Sequence, residues 1–435
     1  MLKSKKIAKG INGIAKIPGD KSISHRSIII PSISKGLTEI KNILKSEDVI
    51  RTMNAFKSMG VKIEEKNNNI LIYGNGLNSL CKPKEKINLG NSGTSARLLI
   101  GLLSAQNFES YLYGDNSLMN RPMDRIINPL KKMGANIHSK NNKLPITIKG
   151  TKLKNIKYEL NIPSAQVKSG ITLAALFTDK QTEIIEKHIT RNHTEIMLEL
   201  FDADIDIKKI GYNNHIIIKG NKQLSSKNIN IPSDLSSAAF FIVAALINNN
   251  SKIEIQNTNL NPTRNGFLTA ISKMGGKITI KNKKQINGEI IGDLYVEHSI
   301  LKGCKLERNI ANLMIDEFPI LAVAAAFANS PSIFKGLEEL KIKESNRLEL
   351  IKENLTNCGI YCESKNNELF IDPTKKIDFK SNIIKTNYDH RIAMAFAIMG
   401  TKLDKELIIL DAESINTSFP SFIKEINSLG GNLSE

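Results

Sequence analysis

Six times along the chain, a segment with apolar positions at helical spacing ends at a turn and passes into a short polar–apolar alternation. The endings are Phe56–Ile63 (FKSMGVKI), Leu130–Ile137 (LKKMGANI), Leu200–Ile207 (LFDADIDI), Ile271–Ile278 (ISKMGGKI), Leu355–Cys362 (LTNCGIYC) and Ile426–Leu433 (INSLGGNL). With Gly60, Gly134, Ala203, Gly275, Gly359 and Gly430 as markers, the spacings are 74, 69, 72, 84 and 71 residues. A glycine directly after a helical segment is the usual left-handed C-cap, and period-two alternation beyond it predicts a strand. Self-similarity at one period predicts six copies of a single α/β unit.

Each unit also opens with a second helix behind a polar cap. The predicted starts are Lys21-Ser22, Asn91-Ser92-Gly93, Ser164-Ala165-Gln166, Ser233-Asp234, Asp316-Glu317 and Asp389-His390. Behind them run Leu98–Ala105, Ile171–Phe177 and Ile320–Ala328, apolar nearly all round, which predicts buried central helices. The amphipathic helices are predicted to begin at Ser46-Glu47-Asp48, Asn120-Arg121-Pro122, Thr190-Arg191-Asn192, Asn261-Pro262-Thr263, Lys343-Glu344-Ser345 and Thr417-Ser418, with Pro122, Pro262 and Pro319 in first turns. Ser22 is the N-cap candidate of the first central helix, and Pro31 should kink or break that helix near Ile28–Ile30. The fold class is therefore α/β, with two pseudo-symmetric domains of three units and a functional surface where the helix N-termini gather.

Composition narrows the function classes. The 435 residues are 41% apolar and 24% charged, an ordinary globular balance with length for two domains. Lys plus Arg outnumber Asp plus Glu by 61 to 43, giving +18, but the surplus is spread out, Trp is absent and aromatic residues make up 5%. A stacking surface for nucleic acid is not expected. Cys81, Cys304, Cys358 and Cys362 make no disulfide framework or metal-ligand spacing, so reduced thiols are expected. The N-terminal stretch lacks the apolar core of a secretory signal, and the apolar runs Ala238–Ile247 and Phe318–Ala328 are too short to span a bilayer. A soluble, cytoplasmic protein is expected.

The helix starts carry the chemistry. Arg26, Arg97, Arg121, Arg125, Arg191, Arg347 and Arg391 lie at or just inside them, in a chain that otherwise favours lysine. Guanidinium binds carboxylate and phosphate in bidentate fashion, and a helix N-terminus adds unpaired N–H groups, so the pattern predicts anionic ligands. Asp316 and Glu344 occupy the same kind of position, where capping and dipole roles are the competing readings.

Pro18–Arg26, Asn91-Ser92-Gly93-Thr94, Arg121-Pro122-Met123, Ser164-Ala165-Gln166, Asp316-Glu317, Lys343-Glu344-Ser345-Asn346-Arg347 and Tyr388-Asp389-His390-Arg391 resemble, in order and over nearly the whole chain, the signatures of the EPSP synthase (3-phosphoshikimate 1-carboxyvinyltransferase) family. Met314–Glu317 and Thr190–Glu195 look most like its alphaproteobacterial-type branch. The resemblance implies an enolpyruvyl transferase fold, an inside-out α/β barrel of two lobes, each of three βαβαββ-type repeats. One lobe spans 22–232 and mainly binds shikimate 3-phosphate; the other comprises 1–21 plus 233–435 and carries the catalytic carboxylates. The implied reaction joins phosphoenolpyruvate to the 5-hydroxyl of shikimate 3-phosphate and releases phosphate, in aromatic amino-acid biosynthesis. No metal or organic cofactor, no nucleic acid and no membrane is implied, and a monomer is expected. Carried over residue by residue, Lys21, Ser22, Arg26, Ser164, Ala165, Gln166, Arg191, Asp316 and Lys343 should hold shikimate 3-phosphate. Lys21, Gly93, Arg121, Gln166, Arg347 and Arg391 should hold phosphoenolpyruvate. Asp316 is the expected base and Glu344 the methylene acid/base, with Lys21 neutralising phosphate charge and His390 assisting the leaving phosphate. Glyphosate, the family's inhibitor, is expected in the phosphoenolpyruvate site against Gly93.

Two positions depart from the pattern: Thr417 stands where many members of the other branch carry lysine, and Ala165 replaces a serine common there, though its own backbone N–H can still bind phosphate. Gly74-x-Gly76 lacks a third glycine in register and reads as a plain turn. The sibling transferase acting on UDP-N-acetylglucosamine is the nearest alternative, but its loop cysteine has no counterpart in Gly114–Arg125. A nucleic-acid-binding module is the alternative reading of the +18 charge.

Overall fold

The computed structural model describes residues 1–435. The chain divides into two compact units, one of Met1–Pro18, Pro232–Gln285 and Ile290–Glu435, the other of Gly19–Ile231 and Ile286–Glu289. Each has its own apolar core. Six four-stranded sheets, three per unit, carry the predicted repeat, and in every sheet a short edge strand runs parallel to its neighbour.

In the 19–231 unit these edge strands are exchanged in a cycle. Ile87–Asn88, at the end of the first repeat, joins the sheet of the second, and Lys157–Glu159 joins that of the third. Ile229–Asn230 returns to the first against Ile40–Lys41. The other unit completes its sheets with the N-terminal segment: Leu2–Ser4 pairs with Leu407–Ile409, and Asn12–Ile14 with Lys252–Glu254.

The marker positions explain the helix ends. Gly60, Gly134, Gly275, Gly359 and Gly430 all have φ between 81° and 108°, the left-handed region that glycine enters without steric cost. In the third repeat that place belongs to Asp202, φ 63°, and not to Ala203. A short polar side chain tolerates this conformation, so the spacing pattern was one residue out there.

The central helices are Lys21–Ser32, Gly93–Ser104, Ala165–Ala175, Leu235–Ile247, Phe318–Ala326 and His390–Gly400, and every residue of Leu235–Ile247 and Phe318–Ala326 is buried. Five starts differ from expectation, one of them Thr417-Ser418, which ends the short helical segment Ala412–Thr417 ahead of the helix Phe422–Ser428. Asp20, not Ser22, caps the first helix, its carboxylate accepting from the Ile23 N–H at 2.9 Å. Glu317, not Asp316, is the N-cap residue of the fifth. Arg121 and Pro122 sit between the short helix Asn116–Asn120 and Asp124–Lys132, not in a first turn. Glu344 lies ahead of Arg347–Asn357, whose cap is Asn346. Pro31 falls in the last turn of Lys21–Ser32, which stays helical through Ile28–Ile30. Ser34 Oγ donates to the Ile30 carbonyl at 2.7 Å and helps close that end. Gly74 is a strand residue of Asn69–Asn75, paired with Gly36, so only Gly76 turns the chain.

The four cysteines are free, and burial pushes the Cys358 and Cys362 thiols up to about 12. No helix is long and apolar enough to cross a membrane.

Candidate active site

In the 19–231 unit, close helix packing brings two N-termini together. A side chain at Gly101 would put its Cβ 2.0 Å from the Gly170 carbonyl oxygen, so Gly93–Ser104 and Ala165–Ala175 touch backbone to backbone. Their first turns meet: Arg97 Nη1 donates to Gln166 Oε1 at 2.8 Å, and Gln166 Nε2 donates to Thr94 Oγ1 at 2.9 Å. Ser92 and Ser164 cap the two helices through Ser95 and Val167 N–H groups, which leaves Gly93 and Ala165 as first helical residues. A Cβ on Gly93 would lie 2.9 Å from Arg97 Nη1 and 3.2 Å from Arg121 Nη1. Arg121 in turn donates to Asn91 Oδ1. Gly93, Arg121, Gln166 and Arg97 thus form one group.

The first helix start forms another. Lys21 Nζ lies 2.5 Å from Asp48 Oδ2, and Arg26 Nη1 donates to the Ser22 carbonyl at 2.9 Å. Arg26 is buried, its Nε donating to Thr194 Oγ1 at 2.6 Å and its Nη2 to Ser169 Oγ at 2.7 Å. Burial pushes the guanidinium down to about 10, against the opposing pull of Glu195 and Asp20. His25, one residue earlier, is held well below the ordinary histidine pKa by burial and by Lys21 and Arg26, so it is neutral. Its Nδ1 lies 2.8 Å from Thr52 Oγ1, which meets Ser95 Oγ at 2.6 Å, and Ser95 meets the cap Ser92 at 2.6 Å. A buried hydroxyl chain therefore ties the Lys21 helix to the Gly93 turn.

Arg191 sits in the turn ahead of His193–Leu200, directly after Thr190, whose N–H donates to Glu186 Oε1 at 2.9 Å.

In the other unit, the carboxylates gather on one arginine. Arg347 is 1% exposed; its Nε donates to Asp389 Oδ2 at 2.8 Å, its Nη2 meets Glu344 Oε2 at 2.5 Å, and its Nη1 lies 3.4 Å from Asp316 Oδ1. Burial alone would lower its pKa, but Asp389 and Glu344 outweigh burial and raise it above the ordinary arginine value. Asp389 caps His390–Gly400 through the Arg391 N–H at 3.0 Å, and Arg391 Nη1 donates to the Asp316 carbonyl at 3.2 Å. Burial, opposed by Asp316 and reinforced by Arg347, lowers the pKa of Lys343. His390 Nδ1 lies 3.3 Å from Thr417 Oγ1. The structure thus brings together Asp316, Glu344, Arg347 and Arg391, and sets His390 against Thr417, the position that departs from the family pattern.

Two carboxylates fixed on one buried cation, beside a lysine of lowered pKa, can exchange protons with a bound hydroxyl or enol. The sequence profile of the EPSP synthase (3-phosphoshikimate 1-carboxyvinyltransferase) family matches residues 5–426. The chain belongs to the EPSP synthase family. Among curated relatives of that name, one from Vesicomyosocius okutanii is 44% identical over 427 residues, covering 97% of this chain and 96% of that protein. One from Thermoanaerobacter sp. is 42% identical over 420 residues, covering 96% and 98%. The solved EPSP synthase of Acinetobacter baumannii superposes with a TM-score of 0.87 at 39% identity, covering 100% of this chain and 99% of that one. The enolpyruvyl transferase NikO from Streptomyces tendae shares the fold, TM-score 0.77 at 12% identity.

Several residues in these EPSP synthase clusters carry no role in the sequence reading. Asp48, on Lys21, and Asp389, on Arg347, stand inside motifs whose pattern predicts only helix starts. Lys168, three residues ahead of the apolar run Ile171–Phe177 and buried in the same helix, also carries no role there, although a buried ammonium needs a carboxylate.

Proposed function

We infer that this chain transfers the enolpyruvyl group of phosphoenolpyruvate to the 5-hydroxyl of shikimate 3-phosphate, releasing phosphate, as a 3-phosphoshikimate 1-carboxyvinyltransferase of aromatic amino-acid biosynthesis. Family membership over residues 5–426 carries the reading. The substrates are small soluble anions, so a cytoplasmic monomer suffices for the reaction.

In this reading the 19–231 unit supplies Lys21, Ser22, Arg26, Ser164, Ala165, Gln166 and Arg191 to shikimate 3-phosphate, and Lys21, Gly93, Arg121 and Gln166 to phosphoenolpyruvate. Asp316, Lys343, Arg347 and Arg391, gathered within the other unit, are the remaining substrate-binding candidates, and Asp316 and Glu344 the proton carriers. Asp316 takes the proton of the attacking 5-hydroxyl while Glu344 delivers one to the methylene carbon, and oxygen bonds to C2. The tetrahedral adduct then loses phosphate, with charge neutralised by Lys21 and assisted by His390, and Glu344 recovers a methyl proton to form the new double bond. The contact of Arg347 with both carboxylates supports this division, because it fixes the two proton carriers relative to one another. Each transfer is worth about 10²–10⁴-fold, and each cationic donor on the developing charge about 3–4 kcal/mol.

A phosphate-release assay tests the reading. Phosphate should appear from phosphoenolpyruvate with shikimate 3-phosphate and not with UDP-N-acetylglucosamine; release with the nucleotide sugar alone would assign the sibling reaction.

A further inference from the structure

The helix Ala165–Ala175 does more than present its first turn. One turn on, Lys168 is buried among charges: its Nζ lies 3.0 Å from Glu186 Oε1 and 2.7 Å from Glu195 Oε1. Both carboxylates thus form ion pairs with the one ammonium. Glu186 Oε1 also accepts from both the N–H and the hydroxyl of Thr190, at 2.9 and 2.5 Å. Thr190 precedes Arg191 in the chain. The next helical residue, Ser169, accepts from Thr194 Oγ1 at 2.6 Å and from Arg26 Nη2 at 2.7 Å, and donates to the Ala165 carbonyl at 2.7 Å. The Arg191 turn is thus held on both sides, at Thr190 and at Thr194, by neighbouring residues of one helical turn.

A buried ion cluster is a poor source of stability, because desolvation of each charge offsets most of the attraction. One ammonium against two carboxylates also leaves a negative charge in the interior, beside the buried guanidinium of Arg26. That excess suits the placing of cations. Burial alone would lower the Lys168 pKa, but Glu195 and Glu186 outweigh it, so the ammonium stays charged.

We propose that Lys168 and Glu186 are positioning residues for shikimate 3-phosphate: Lys168 holds Glu186, Glu186 holds Thr190 and thereby Arg191, and Ser169 holds Arg26. One helix then registers three substrate elements, its own Ser164–Gln166 turn, Arg26 and Arg191. The proposal rests on the function inferred above.

Thr190→Val tests it, since valine keeps shape and backbone N–H and removes only the hydroxyl donated to Glu186. Shikimate 3-phosphate binding is read by calorimetric titration without the second substrate, and KM, kcat and melting temperature are measured alongside. Thr190→Val should weaken shikimate 3-phosphate about five- to tenfold, the loss expected of one charge-assisted hydrogen bond, with phosphoenolpyruvate KM and kcat within about twofold. Thr190→Ser should restore binding. Unchanged affinity in Thr190→Val, or an equal loss for both substrates with a lowered melting temperature, would overturn the positioning role. The titration needs no turnover, so failure of the parent protein to release phosphate counts against the reaction and not against this assignment.

Discussion

Arg347→Met removes a cation from beneath three carboxylates, and the structure says which loss dominates. The Asp316 and Glu344 side chains are 17% and 21% exposed and regain water, whereas Asp389 is 0% exposed and does not. Asp389 keeps two donors, the Ser345 hydroxyl at 2.9 Å and the Arg391 N–H at 3.0 Å. Stranding a buried partner costs about 3–5 kcal/mol, and the surviving donors put this case near the lower limit, about 3 kcal/mol. For a unit of this size that lowers the melting transition by roughly 6–12 °C. Asp389→Asn on the same background removes the stranded charge while keeping a good N-cap, so the double variant should recover at least half of the shift. Differential scanning calorimetry of parent, both single variants and the double variant reads this directly. A single variant melting within about 2 °C of the parent, or a double variant no better than Arg347→Met, would refute the claim that this pair is a buried, mutually dependent charge pair.

Three further outcomes follow from the same geometry. Glu344→Gln keeps size and hydrogen bonding but cannot cycle a proton, so kcat should fall about 10²-fold or more with little change in substrate affinity; near-normal turnover removes the acid/base role. Gly93→Ala puts a methyl against the mobile ends of Arg97 and Arg121 and not against backbone, so stability should change by less than about 1 kcal/mol while glyphosate inhibition weakens more than phosphoenolpyruvate KM rises; an unchanged Ki to KM ratio contradicts it. Neutral His25 contributes stability that is complete above about pH 6.5 and lost as pH falls, because the unfolded chain takes up a proton that the buried ring refuses, at a limiting slope of about 1.4 kcal/mol per pH unit. His25→Asn should therefore flatten the fall in melting temperature between pH 7.5 and 5, and parallel curves for the two proteins would show that this ring does not titrate on unfolding.

The repeat was legible because it is a local signal: a left-handed residue after a helix and an alternating strand beyond it. It slips at Asp202, where aspartate takes the place of glycine in the left-handed position and the small residue beside it is Ala203. Cap identities slipped for a related reason. Asp20, Ser22 and Asp316 are all competent caps, yet the entry angle of the backbone puts Glu317, which makes no side-chain cap bond, at the start of the fifth helix. Pairings distant in sequence left no trace, such as Leu2 opposite Ile409 or the Gly101–Gly170 contact that joins two helix starts. The arginines at helix starts read as ligand groups, but no local pattern signals that Arg347 faces three carboxylates of its own unit. That arrangement depends on where Asp389 and Asp316 fall in space.

Phosphoenolpyruvate labelled with carbon-13 at every carbon tests the central claim most directly. After incubation with shikimate 3-phosphate and the purified protein, mass spectrometry of the shikimate 3-phosphate and its product and a phosphate assay are read on the same sample. Transfer predicts that all labelled carbons appear on shikimate 3-phosphate, one enolpyruvyl group for each phosphate released, and that Glu344→Gln stops both together. Phosphate released while the label stays in free pyruvate would make the protein a phosphatase and contradict the account.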